Sequence, residues 1–172
     1  AGWGALVSFM LAVSPSSELP GMLFWLMGDM AHARNPAVPL AILLVVVLVA
    51  VPFGRTLNIL AHGPQQAAAL GVAVRRTEWL LHLTAALLAA TAVTVAGSIG
   101  FVGLIVPHML RLIIGNDQRV LLPASALVGG MLLVLADTLA RTLIAPEQLP
   151  VGVITALLGV PAFLYLLHRS PA

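Results

Sequence analysis

The sequence predicts an all-α fold, a polytopic transmembrane helical bundle with about five crossings, one of them a short half-length helix. Three observations predict it. Hydrophobic residues make up 60% of the 172, charged residues only 8%, and the mean hydropathy is +1.08. A soluble domain carries about 25% charged residues, so this chain cannot cover a water-facing surface. The apolar runs are rich in Leu, Val and Ala without strict alternation, which favours membrane helices over barrel strands. Those runs are separated by short breaks that hold the prolines, glycines and arginines.

The same composition excludes several function classes. There is no cysteine, hence no disulfide framework, thiol ligand or thiol nucleophile. The net charge of +2 rests on eight scattered arginines and no lysine, which is no footprint for nucleic acid. The chain begins at Ala1, without a methionine and inside an apolar run, so it is expected to carry no signal peptide and to be a fragment lacking an N-terminal half. Residues 1–172 then form a single transmembrane domain, with 55–76 a polar loop inside it.

Ala1 to Val13 is expected to be the tail of a membrane helix. Ser14 to Pro20 is a Ser/Pro break. Gly21 to Met30 is apolar but too short to span, which suits an interfacial helix. Ala31 to Pro39 is polar, and Leu40 to Phe53 spans with its flanks. Trp79 to Leu110 is an uncharged run of 32 residues, where one span needs about 20, so it must break. Gly97, Gly100, Gly103 and Pro107 mark the break. Trp79 to Ala96 makes one span, and Leu104 to Ile114 makes a short helix kinked or started near Pro107. A half-length helix beside irregular backbone belongs inside protein or along a cavity. Gly115 to Asp117 is a turn, Val120 to Ala140 another span with Gly129 and Gly130 for close packing, Pro146 to Pro150 a turn, and Val151 to Leu167 the last span.

The polar loop is too regular to be slack. Thr56 can cap a short helix over Leu57 to His62, which Gly63 can end with positive φ. Pro64 can start a second helix, which Gly71 can stop. Ala67, Ala68 and Leu70 are expected to be exposed as a close-packing face. Whether the Ala67/Leu70 side or the Asn58/Gln66 side meets a partner stays open. With these crossings, Arg55, Arg75, Arg76, Arg111, Arg119 and Arg169 fall on one side and Arg34 and Arg141 on the other. The positive-inside rule then puts the loop and the C-terminus in the cytoplasm.

Side chains that suggest chemistry have bland readings beside the sharp ones. His108 with Ser98 suggests an intramembrane protease, but no GxSxG elbow, HExxH pair or acidic dyad accompanies them, and His108 is expected to cap backbone groups of the short helix. His32, His62, His82 and His168 have no ligand spacing, so no metal is assigned. Met22, Met27 and Met30 suggest metal or heme contact, but such methionines more often fill irregular apolar packing. No Walker A sequence is present, so ATP is not bound through that motif. Asp137 and Arg141 stand i, i+4, which favours an intrahelical pair. The glycines at 97, 100 and 103 serve close packing, or a hinge beside the pathway.

Several separated stretches resemble one family in the right order: GSIGFVGLIVPHMLRLIIGNDQRVLLPASAL (97–127), LADTLAR (135–141), QLPVGVITALLGVPAFLYLL (148–167), LNILAHGPQQAAALGV (57–72) and FWLMGDM (24–30). Together they are similar to the C-terminal half of the iron-siderophore and vitamin B12 importer permeases, the FecCD-type family of ABC transporters. That resemblance implies a permease of about ten helices in the bacterial inner membrane, paired with a second copy as a homodimer. It implies ATP-binding cassette subunits that carry ATP and Mg, a periplasmic substrate-binding protein, and no cofactor on this chain. An iron chelate is the first expectation for cargo, with heme and vitamin B12 open. Leu57, Leu60, Ala61, His62, Gly63, Gln66, Ala67, Leu70 and Gly71 would form the surface gripped by the ATPase, flanked by Arg55, Arg75 and Arg76. Arg141 would dock a glutamate of the binding protein, with Asp137 its positioner. Two other classes stand beside this reading: half of an ion-coupled secondary transporter, which wants an intramembrane acid that the spans lack away from their ends, and an intramembrane enzyme, which lacks a nucleophile–base–orienter set.

Overall fold

The computed structural model describes residues 2–31, 35–144 and 147–169. His32, Arg34 and Pro146 lie outside them. Among the described residues the regular elements are all helices: α1 Gly2–Val13, α2 Leu19–Leu26, α3 Ala37–Ala50, α4 Gly54–Leu60, α5 Pro64–Ala69, α6 Val74–Ala96, α7 Val102–Ile114, α8 Gln118–Thr142 and α9 Val151–Arg169. By length and composition α6 and α8 can each cross a membrane, and α3 with α4 forms a third apolar unit bent by 71° at Val51–Phe53. Pro52 sits at that bend, where its missing N–H interrupts the helical ladder. The remaining apolar helices α1, α7 and α9 are shorter.

Several expected boundaries shift. Pro20 belongs to the first turn of α2, where it costs no hydrogen bond, and the helix stops at Leu26 so that Gly28 can turn at φ 83. α4 begins at Gly54, so Thr56 lies inside it and Phe53 takes the cap position without a side-chain bond. Arg75 and Arg76 lie in the first turn of α6. The break after α6 falls at 97–101, and Pro107 is carried inside α7.

α7, α8 and α9 pack on one another, and the described core lies near one end of them. Ala136 and Ala140 of α8 face Val151 and Ile154 of α9, with Met30, Ile99 and Leu149 closing over them. Alanines on α8 let the start of α9 come close. By contrast α1, α3 and α6 bury no residue within this chain.

At that same end backbone meets backbone. The Asp29 N–H donates to Ala96 O at 3.0 Å, Gly152 N–H to Gly28 O at 3.1 Å, and Leu149 N–H to Ala140 O at 3.1 Å. These bonds satisfy polar groups at the ends of α6, α8 and α9 that the helices themselves cannot. Approach this close needs glycine. A Cβ on Gly97 would run into the carbonyl oxygen of Trp25, and one on Gly152 into that of Met27. Gly97 also sits at φ +68. Gly100 and Gly103 have open space around the Cβ position, so close packing within this chain is the role of Gly97 and not of its two neighbours. Gly129 has an ordinary contact with Val102 at 3.7 Å, and Gly130 has none.

Gly97→Ala and Gly152→Ala are therefore expected to destabilise the protein by about 1–3 kcal/mol or more, since the obstacle is backbone that cannot rotate away. Gly103→Ala, in the first turn of α7 with space around it, is expected to be neutral or slightly stabilising. Thermal unfolding in detergent, compared across the three variants, checks this ordering.

Candidate functional site

Between α3 and α6 stand two short helices, α4 and α5. Gly63 joins them at φ 112, and Pro64 opens α5 at its first position. α5 ends as a Schellman turn: Gly71 N–H donates to Ala68 O, Val72 N–H donates to Ala67 O, and Gly71 takes φ 81. The ring of His62 bonds back to Asn58 O at 2.8 Å, with Nδ1–H as the donor because the carbonyl can only accept.

The structure splits both faces that the sequence offered. Ala67 is 0% exposed, so the expected exposure of this residue is corrected: the surrounding chain covers it completely. Leu70 is 69% exposed, and Gln66, Ala68, Ala61 and His62 are exposed or half-exposed with it. Leu57, Leu60 and Gly63 are half-buried and Gly71 is exposed. Asn58 turns inward. Its Nδ2 donates to Asp117 Oδ1 at 2.9 Å, and its Oδ1 accepts the Gln118 N–H at 2.8 Å. Asp117 is the N-cap of α8, accepting from Arg119 N–H at 3.1 Å. The Asn58 amide first, then the Arg119 N–H, hold the Asp117 carboxyl below its ordinary value. Because α4 meets the start of α8, Arg55, Arg75, Arg76, Arg111 and Arg119 gather at one end of the bundle.

The opposite end carries the Asp137–Arg141 pair. Arg141 Nε donates to Asp137 Oδ2 at 2.7 Å within α8, and both side chains keep contact with solvent at 42% and 25% exposure. One carboxylate oxygen thus orients the guanidinium through its Nε.

His108 departs from expectation. Its Nε2 is buried without a hydrogen-bond partner among the described residues, so it caps no backbone group there. It lines a cleft between α7 and α9 with Pro107, Arg111 and Phe163, whereas Ser98 belongs to the glycine junction, so the two form no catalytic pair. Among the described residues no group of His, Asp or Glu is placed to hold a metal ion. A second, wholly apolar cavity of about 360 Å³ lies among α7, α8 and α9, lined by Phe101, Val106, Leu132 and Thr155.

Two features escaped the sequence reading. Phe101, the residue before α7, has φ 67, a conformation that costs a bulky side chain about 1–3 kcal/mol and persists only where the surroundings impose it. Strain at the break therefore sits on Phe101 and not on Gly100 or Gly103. The role of Asn58 was also missed. The Asn-Asp before the apolar run of α8 is a legible cap signal, but the partner of Asp117 lies 59 residues upstream.

The FecCD transport family profile matches residues 1–169. The chain is 49% identical over 96% of its length to the cobalamin import system permease protein BtuC of Halobacterium salinarum, covering 44% of that protein. It is 44% identical to the hemin transport system permease protein HmuU of Yersinia pestis and 41% identical to the Fe(3+) dicitrate transport system permease protein FecD of Escherichia coli, each over 97% of this chain and 51% and 53% of theirs. A solved inward-facing structure assigned to the metal-chelate type of ABC transporter superposes with a TM-score of 0.84 at 35% identity, covering 97% of this chain and 55% of that one. The chain thus spans about half the length of the relatives it matches, and it belongs to the FecCD transport family.

Proposed function

We propose that this chain supplies the C-terminal half of the permease of an ABC importer, carrying a metal chelate or a cobalamin across the bacterial inner membrane. The observation that carries the reading is the paired short helices α4 and α5. They stand at the arginine-rich end, present Leu70 outward, and are fastened to the bundle and not to each other alone. A loop that only rested on lipid would need no such fastening.

In this reading the arginine-rich end faces the cytoplasm, with the C-terminus, by the positive-inside rule. A separate ATP-binding cassette subunit, which holds ATP and Mg, grips Leu70, Ala68, Gln66 and His62. Arg141, preset by Asp137, docks a carboxylate of a periplasmic substrate-binding protein. A second permease copy completes the pathway. Iron chelates, heme and cobalamin are all candidate cargoes, because relatives of all three kinds are matched. Nothing covalent happens to the cargo: nucleotide binding moves the short helices, and the spans exchange access from one side to the other.

Leu70→Glu or Ala68→Glu, a charge placed in a dry contact, is expected to release the ATPase subunit on co-purification and to lower ATP-driven uptake by about tenfold or more. Unchanged co-purification would remove the coupling assignment. Arg141→Glu is expected to weaken binding-protein docking by about tenfold or more while leaving basal ATP hydrolysis intact, since it turns an attraction into a repulsion. Docking measured by surface plasmon resonance on the reconstituted transporter checks it, and an unaltered affinity would dismiss Arg141 as the docking cation. Uptake of labelled cobalamin, hemin and ferric citrate, measured side by side, identifies the cargo.

A further inference from the structure

The Asn58 side chain makes two bonds, and both go to the first residues of α8. Its Nδ2 donates to the Asp117 carboxylate, a charge-assisted bond, and its Oδ1 accepts the Gln118 N–H, one of the four backbone donors that open α8. A planar carboxamide held at both ends cannot swing about either bond. One turn earlier on the same face of α4 stands Gly54, which is buried. A Cβ there would lie 2.5 Å from Arg119 Cγ and 3.2 Å from Arg119 N. Thus α4 touches the foot of α8 at two points about one turn apart. Two points fix a line, so α4 can neither slide nor swivel without taking α8 along.

α8 is the element that makes this consequential. It is continuous from Gln118 to Thr142, about 37 Å at 1.5 Å per residue. Its foot holds Asn58, and its head carries the Asp137–Arg141 pair. In between it packs on α7 and α9, around the apolar cavity.

We infer that Asn58 is a positioning residue, a strut that makes α4 and α8 one rigid body and so carries displacement of the short helices to the opposite end of the membrane domain. The inference rests on the coupling role proposed for α4 and α5 and adds the route by which that coupling leaves them.

The test uses the complete transporter in proteoliposomes, with its ATPase subunits and binding protein. Asn58→Asp replaces the donor to Asp117 with a second carboxylate. It is expected to lower substrate taken up per ATP hydrolysed by about fivefold or more, the size of a typical coupling energy, with the ATPase still bound. Adding Asp117→Asn to it restores a donor at the other end. The carboxylate introduced at position 58 again accepts the Gln118 N–H. The amide introduced at position 117 donates to that carboxylate and accepts from the Arg119 N–H. The double variant is expected to recover uptake per ATP to within about twofold of the parent. A purely structural tether would show in assembly and melting temperature but not in uptake per ATP. In the parent background, spin labels on Phe53→Cys and Val120→Cys are expected to keep their separation within about 2 Å between nucleotide-free and ATP-bound states, the scale of small interface shifts. This holds even if Asn58→Asp fails to assemble.

Normal uptake per ATP in Asn58→Asp, a double variant no better than the single, or a larger change in label separation would each overturn the strut. Leu70→Glu, run in parallel, separates the two readings. If it keeps its ATPase, the coupling role fails and the strut with it. If it sheds the ATPase while Asn58→Asp transports normally per ATP, the strut alone fails.

Discussion

The arrangement of this domain depends on backbone-to-backbone contact at one end of the bundle. The carbonyls of Trp25 and Met27 occupy the space where Gly97 and Gly152 have no side chain. That contact sets the end of α2 against both the turn after α6 and the start of α9. In hydrocarbon an unpaired backbone group costs several kcal/mol, so irregular segments must find partners within the protein. Here the bonds from Asp29 to Ala96, Gly152 to Gly28 and Leu149 to Ala140 supply them. The turn that follows α6 can then be short, and the strain of that turn passes to Phe101.

The other end is held by side chains. Asn58 and Asp117 close the gap between the short helices and α8, and His62 folds back on Asn58 O. The contrast fits what each end is asked to do. Glycine contacts set backbone directly against backbone at one end, whereas at the other a directional polar side chain, held at both of its ends and backed by Gly54, sets α4 against α8. Between the two ends α7, α8 and α9 enclose apolar space, with Thr155 as a buried hydroxyl that bonds back to Gly152 O at 3.0 Å. The buried His108 Nε2 and Ser125 Oγ have no hydrogen-bond partner among the described residues. As the chain spans about half the length of its relatives, these atoms and the bare faces of α1, α3 and α6 are the places where this chain alone is least satisfied.

Much of the fold was legible because it follows from local rules. Low charge content and long apolar runs required membrane helices. Gly63, Pro64 and Gly71 forecast two short helices with the right joints, since positive φ and a missing N–H are properties of single residues. The i, i+4 spacing of Asp137 and Arg141 forecast their bond. Errors fell where local rules compete. Thr56 has a cap side chain, yet Gly54 starts the helix because α4 packs against α8 there. Pro107 looked like a break, yet α7 carries it, because the turn at 97–101 had already ended α6.

What the sequence by itself determined was the class: a helical membrane domain with a structured polar loop and arginines biased to one side. Composition and single-residue backbone preferences are enough for that. What only the tertiary structure decided was which way residues face and what they touch. Ala67 in α5 and Leu70 at its C-terminal cap lie three apart, yet one is fully buried and the other mostly exposed. Asn58 and Asp117 are 59 residues apart, and nothing local to either announces the other. In a uniformly apolar chain periodicity gives no helix rotation. Only packing assigns the faces, and contacts between distant residues exist only once the helices have met.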